Sequence, residues 1–142
     1  MALIADTSGL IASIDRNEPA HARVRRILEA EPEAVVVPEL VIAEVDYLLM
    51  TRVGRQAQEA FLDDLVSGAY VREEMRDDDL RRALRILRRF GEHDLGIVDT
   101  SILATAERLG IERILTLDLR HFRMLKLKER TPLTLLPFDE ES

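Results

Sequence analysis

Asp6, Glu44, Asp99 and Asp118 stand far apart in a chain of 142 residues, yet each lies beside or within an apolar segment where a surface carboxylate is not expected. A carboxylate drawn out of water is relieved by a raised pKa, a cationic partner or a bound cation. Four acids brought together by folding would suit a hard divalent ion, and oxygen ligands favour Mg2+ or Mn2+ over zinc. Other chemistries lack their residues. There is no cysteine, so thiolate sites and thiol catalysis are excluded, and His21, His93 and His121 form no zinc pattern. The chain has no GxxxxGK[ST], GxGxxG or GxSxG segment, which removes the usual phosphate-loop, dinucleotide and serine-hydrolase sites.

Each acid also has an ordinary reading. Asp6 ends the run Ala2-Leu3-Ile4-Ala5, where ligands gather in open parallel sheets, but it could equally cap the helix beginning near Ser8. Glu44 falls between Leu40, Val41, Tyr47 and Leu48 on a helical wheel, with Glu39 and Asp46 opposite, so it is expected to point toward the core. Asp99 shares a face with Ile102, Leu103, Ala106 and Leu109, while Ser101, Thr105 and Arg108 face away; a first-turn acid also gains from the helix dipole. Asp118 follows Ile114-Leu115-Thr116-Leu117, with Thr116 on its side of the strand, and a turn aspartate is the plain alternative.

The elements that must position these acids alternate between short aliphatic runs and longer amphipathic ones, the pattern of a parallel sheet covered by helices. Strands are expected at Ala2–Ala5, Ala34–Val37, Ala69–Glu73, Arg113–Leu117 and Leu133–Leu136. Helices are expected at Ser8–Asp15, Pro19–Ala30, Glu39–Arg52, Arg55–Ser67, Asp78–Phe90 and Val98–Leu109. Length and the absence of a linker suggest one domain over 1–142, with the acidic tail 138–142 fraying. Asp-Thr-Ser occurs at 6–8 and again at 99–101, too short a match for a duplication.

The net charge of -7 conceals an uneven distribution. Residues 1–80 carry 8 basic and 17 acidic side chains, whereas 81–142 carry 12 basic and 10 acidic. Two basic runs, Arg81 to Arg89 and Arg120 to Arg130, would permit local polyanion binding, although a solvated face is the ordinary account of a charge run. Aromatic content of 4% without tryptophan argues against base stacking as the main binding mode. No basic leader precedes the first apolar run and no stretch approaches eighteen apolar residues, so a cytoplasmic protein without a membrane partner is expected.

The ordered set Leu-Ile-Ala-Asp6-Thr-Ser, Val-Ile-Ala-Glu44-Val-Asp-Tyr-Leu, Gly-Ile-Val-Asp99-Thr-Ser-Ile-Leu-Ala and Leu-Thr-Leu-Asp118-Leu-Arg-His-Phe resembles the PIN-domain ribonucleases, in particular VapC toxins of VapBC toxin–antitoxin pairs. The resemblance runs from about Leu3 to Leu136. It implies a three-layer α/β/α sandwich with a central, mainly parallel five-stranded sheet. It further implies an endoribonuclease using one or two Mg2+ or Mn2+ ions, whose products carry a 5′-phosphate and a 3′-hydroxyl. Carried over by residue, Asp6, Glu44, Asp99 and Asp118 match the catalytic, metal-binding acids, and Thr7 and Thr116 match polar neighbours that shape the pocket. Arg120, beside Asp118, is the candidate for substrate phosphate. The implied partners are the RNA substrate, a VapB-like antitoxin and a second copy in a homodimer, with larger toxin–antitoxin assemblies beyond that. A PIN-like module that binds RNA or protein without cleaving is the alternative, which loss of an acid would have favoured.

Overall fold

Aliphatic runs without polar alternation suit strands buried on both faces. Leu3, Ile4, Ala5, Val37, Ile114 and Leu115 are fully buried, and Val35 and Val36 are nearly so. In a computed structural model that describes residues 2–140, these runs form β1 (Leu3–Ala5), β2 (Val35–Pro38) and β4 (Arg113–Leu115). With β3 (Tyr70–Glu73) and β7 (Thr134–Leu136) they build a five-stranded sheet of order β3-β2-β1-β4-β7, parallel throughout. Helices α1 (Thr7–Ile14), α2 (His21–Ala30), α3 (Glu39–Leu48) and α4 (Arg55–Ser67) fall in the crossovers from β1 to β2 and from β2 to β3. Helices α5 (Asp77–Arg89) and α6 (Ile97–Leu109) carry the chain from β3 back past β1 to β4.

Right-handed crossovers running in opposite directions from β1 put the two helix sets on opposite faces, giving the expected α/β/α sandwich. They also create a switch point between β1 and β4, and crevices open there at the carboxyl ends of the strands. Asp6 and Asp118 both follow these two strands.

Three features go beyond the expected elements. Glu39–Arg52 is not one α-helix: α3 gives way at Leu49–Val53 to a π-helical turn, in which the Gly54 amide donates to the Leu49 carbonyl at 2.8 Å. Gly54, at φ 137°, then admits a backbone direction that L-residues rarely adopt, and α4 restarts. A short helix α7 (Leu119–Phe122) follows Asp118, and β5 (Lys126–Leu127) pairs antiparallel with β6 (Thr131–Pro132). Of the tail expected to fray, residues 141 and 142 lie outside those described, while Asp139 accepts both Arg123 guanidinium nitrogens and the Leu135 amide.

Helix α1 meets β4 at Gly9, where a built Cβ would stand 2.4 Å from the Leu115 carbonyl oxygen and 2.8 Å from its carbon. Backbone cannot yield as a flexible side chain can, so no larger residue fits without moving the helix. The strand it would be pushed from leads directly into Thr116 and Asp118. Gly9→Ala should therefore destabilise the fold by about 1–3 kcal/mol, in the range of overpacked cores, read as a lower urea midpoint with unchanged m-value.

Candidate active site

Strands β1 and β4 lie side by side with Ile4 opposite Ile114 and Ala5 opposite Leu115, so the residues leaving them must meet. The Asp6 amide donates to the Leu115 carbonyl at 2.9 Å. One Asp6 carboxylate oxygen accepts the Thr7 amide at 2.7 Å, which makes it the cap of α1, and the other accepts the Thr116 hydroxyl at 2.8 Å. The Thr116 oxygen in turn accepts the Asp118 amide at 3.0 Å. Ser8 closes the network, its hydroxyl taking the Leu117 amide at 2.8 Å and lying 3.2 Å from the Thr116 oxygen. Capping and site-building are thus one arrangement at Asp6, not rivals.

Asp118 caps α7 in the same manner, one oxygen accepting the His121 amide at 3.2 Å. Its other oxygen lies 3.0 Å from His121 Nδ1, and that nitrogen is also 3.2 Å from an Asp99 oxygen. Asp99 sits in the first turn of α6. These groups open onto a cavity of about 520 Å³ whose walls carry Asp6, Glu44, Asp99 and Asp118 together with His121 and Arg52. Thr7 also lines it, and its buried hydroxyl has no hydrogen-bond partner among the described residues. Thr116 does not reach the cavity; it is fully buried and acts from behind Asp6. Arg120 is exposed and lies outside the lining, with Nη2 3.4 Å from His121 Nε2.

Crowding of the acids is visible in their protonation. The Asp99 carboxyl is pushed up to about 6, first by burial and then by repulsion from Asp6, with Asp118 and Glu44 adding to it and His121 opposing. Burial also raises Asp6, against the pull of the bonds from Thr116, Thr7 and Ser8. A divalent cation would relieve both, and the donor set fits one: ligand atoms of Asp99, Asp118 and His121 lie within 4.8 Å of one another. A cavity of about 620 Å³ beside α5 and α6 makes no such demand. Four of the charges along it are paired, Arg82 bidentate to Glu107 and Arg108 to Asp79.

Two orientations differ from expectation. Glu44 does not point into the core: it is exposed on the cavity rim, and the buried stripe of α3 is Val41 and Val45. The apolar face of α3 is wider than its buried one, because Tyr47, 61% exposed, lies outside the core. In α6, Ser101 and Thr105 are buried rather than facing away, since the helix packs against both α5 and α3. Their hydroxyls need no outside partner when they turn to their own helix, as Ser101 does to the Val98 carbonyl at 2.7 Å. Sequence reasoning missed Ser8, Arg52 and His121 as site residues. The Asp-Thr-Ser motif held Ser8 in plain view, and the three-residue spacing of Asp118 and His121 is that of neighbours on a helical turn.

The chain is similar to known proteins over most of its length. A family model described as PIN domain matches residues 3–127. Ribonuclease VapC26 of Mycobacterium tuberculosis is 39% identical over 124 residues, covering 87% of this chain and 92% of that protein. Among solved structures, M. tuberculosis VapC20, described as a sarcin-ricin loop cleaving toxin, superposes with a TM-score of 0.76 at 25% identity, covering 82% of this chain and 89% of its own. DNA-bound VapBC from Salmonella typhimurium shares the fold with a TM-score of 0.68 at 16% identity, over 95% of this chain and 96% of its own.

The raised Asp99 has a measurable consequence. Its folded pKa of about 6 exceeds the unfolded 3.8, so the folded state binds the proton more tightly and loses stability as pH rises through this window. The difference amounts to about 3 kcal/mol at most. In chelator, the wild type should become less stable between pH 4 and pH 6.5, and Asp99→Asn should flatten that slope. Urea melts at several pH values make the comparison; identical slopes would remove the repulsion from the account.

Proposed function

The chain belongs to the PIN-domain family, and from that premise we propose that it is the toxin ribonuclease of a type II toxin–antitoxin pair, hydrolysing RNA phosphodiester bonds with a divalent cation in the acid-lined cavity. The observation that carries this reading is that Asp6, Glu44, Asp99 and Asp118, from four separate segments, line one cavity at the switch point of the sheet. The 39% identity to Ribonuclease VapC26 over most of both chains supports the reaction.

Bound there, Mg2+ or Mn2+ would polarise a phosphoryl oxygen and lower the pKa of a water molecule. The protein's part is to hold oxygens in place. Asp6 is fixed by the Thr7 amide and the Thr116 hydroxyl, so its carboxylate cannot rotate away when the cation is absent. Asp99 and Asp118 supply further ligand oxygens. Glu44, exposed on the cavity wall, would serve as a further ligand or as the base that takes a proton from the attacking water. Among the described residues, Arg52 is the one Lys or Arg side chain on the cavity wall and the first candidate for the backbone phosphate, with the exposed Arg120 further out.

A ribonuclease of this kind needs restraint, and the surface around the cavity suits a bound partner. Tyr47, Met50 and Val53 expose apolar area on α3 and the π-helical turn, the segment that also carries Glu44 and Arg52. A VapB-like antitoxin presenting an apolar helix face and a basic side chain would match both features, and the Salmonella neighbour is described as DNA-bound VapBC. Partnership with a second copy in a homodimer belongs to the same proposal.

Two experiments test it. On total cellular RNA with Mn2+ or Mg2+, the wild type should cut while Asp6→Asn and Asp99→Asn lose more than about 100-fold, beyond what loss of an outer-shell partner costs. Chelator should stop the wild type. Equal cleavage by all three proteins, or cleavage indifferent to chelator, would refute the acid-metal reading. Mapping the ends begins with the sarcin-ricin loop, the RNA for which VapC20 is described. Co-expression with the adjacent reading frame should give one complex on size exclusion, free of nuclease activity; separate elution of an active toxin would count against the partner.

A further inference from the structure

We propose that His121 completes the ligand set, giving Nδ1 to the cation shared by Asp99 and Asp118, and that this nitrogen biases the cavity toward Mn2+ over Mg2+. The inference rests on the metal-dependent reading of this cavity and adds a residue to it.

Position is the first argument. His121 is 8% exposed, and it lies on a four-residue helix anchored by Asp118 at one end and by the buried Phe122 at the other. Its ring is held with Nδ1 between two carboxylate oxygens, 3.0 Å from Asp118 and 3.2 Å from Asp99. Because the other Asp118 oxygen is engaged by the His121 amide, the oxygen nearest Nδ1 is the one left for a ligand.

Spacing is the second argument. Two donor atoms at right angles around a cation with bonds of about 2.0–2.2 Å stand about 3 Å apart. Both Nδ1 distances match that separation, so the three groups need little rearrangement to share an ion. Without metal, the same spacing is that of a hydrogen bond from Nδ1–H to either oxygen. On metal binding the ring carries its proton on Nε2, and the exposed Arg120 near that nitrogen is free to turn into solvent. Thr7, on the same cavity wall, has a buried hydroxyl with no hydrogen-bond partner among the described residues.

Chemistry gives the selectivity. Mg2+ prefers oxygen and retains its waters, whereas imidazole nitrogen favours transition ions. A pocket of carboxylates alone would lack that bias.

The test is a pulsed electron-spin-echo spectrum of the protein loaded with Mn2+. Wild type should show the nitrogen coupling of a directly bound imidazole, and incorporation of 15N-histidine should change it, which identifies the ligand without any variant. In His121→Asn, which keeps an N–H near the Nδ1 position, the coupling should vanish. By calorimetry its Mn2+ affinity should fall about 10–100-fold, while its Mg2+ affinity falls less than about threefold. Mn2+ that binds wild type but not Asp99→Asn, with no histidine coupling, would overturn the proposal and leave the metal-dependent site standing. Mn2+ that binds wild type and Asp99→Asn equally would overturn both.

Discussion

The hydrogen bond from the Thr116 hydroxyl to Asp6, 2.8 Å long, joins residues 110 positions apart. It is possible only because β1 and β4 are neighbours in register, and it couples the sheet to everything beyond it. The same hydroxyl oxygen takes the Asp118 amide, Asp118 starts α7, and α7 carries His121 back toward Asp99. A single buried donor thereby organises four segments of chain. Its neutrality matters: a cation in its place would satisfy the acids internally, whereas a hydroxyl orients Asp6 and leaves its charge available.

Charge is handled differently on the far side of the molecule. The basic run in α5 looks in the sequence like a polyanion-binding stripe, but Arg82 is committed to Glu107, Arg81 to Asp78 and Arg89 to Glu129. Arg108 joins Asp79 and Glu73 in a partly buried network that ties α6 to α5 and to β3. Such networks fix the relative placement of elements more than they add stability. At the switch point Asp6 is held instead by an amide and a hydroxyl.

Much of the architecture was legible because its determinants are local. Leu3 to Ala5 and Val35 to Val37 are apolar runs stopped by Asp6 and Pro38, and Gly110 closes α6 as a left-handed residue. The acids were legible through order and spacing. The direction of Glu44 was not, since periodicity reports an apolar face without saying how much of it another element covers. The approach of His121 to Asp99 was hidden for a related reason: the two are 22 positions apart, and only the return of β4 to the side of β1 closes that gap. The π-helical turn and the two-residue strands β5 and β6 are too short to leave a periodic signal.

That π-helical turn has a consequence for how such a protein can diversify. It ends the run that begins with α3, and the backbone at Gly54, φ 137°, then lets α4 set off in its own direction. Glu44 stands before the turn, Arg52 within it, and the exposed Leu62 and Val66 of α4 after it. The chemical register of α3 with the sheet is therefore insulated from the outward face of α4. Substitutions that retune what α4 touches can accumulate without turning Glu44 out of line, so the hardware that cuts and the surface that meets other molecules are free to change at different rates.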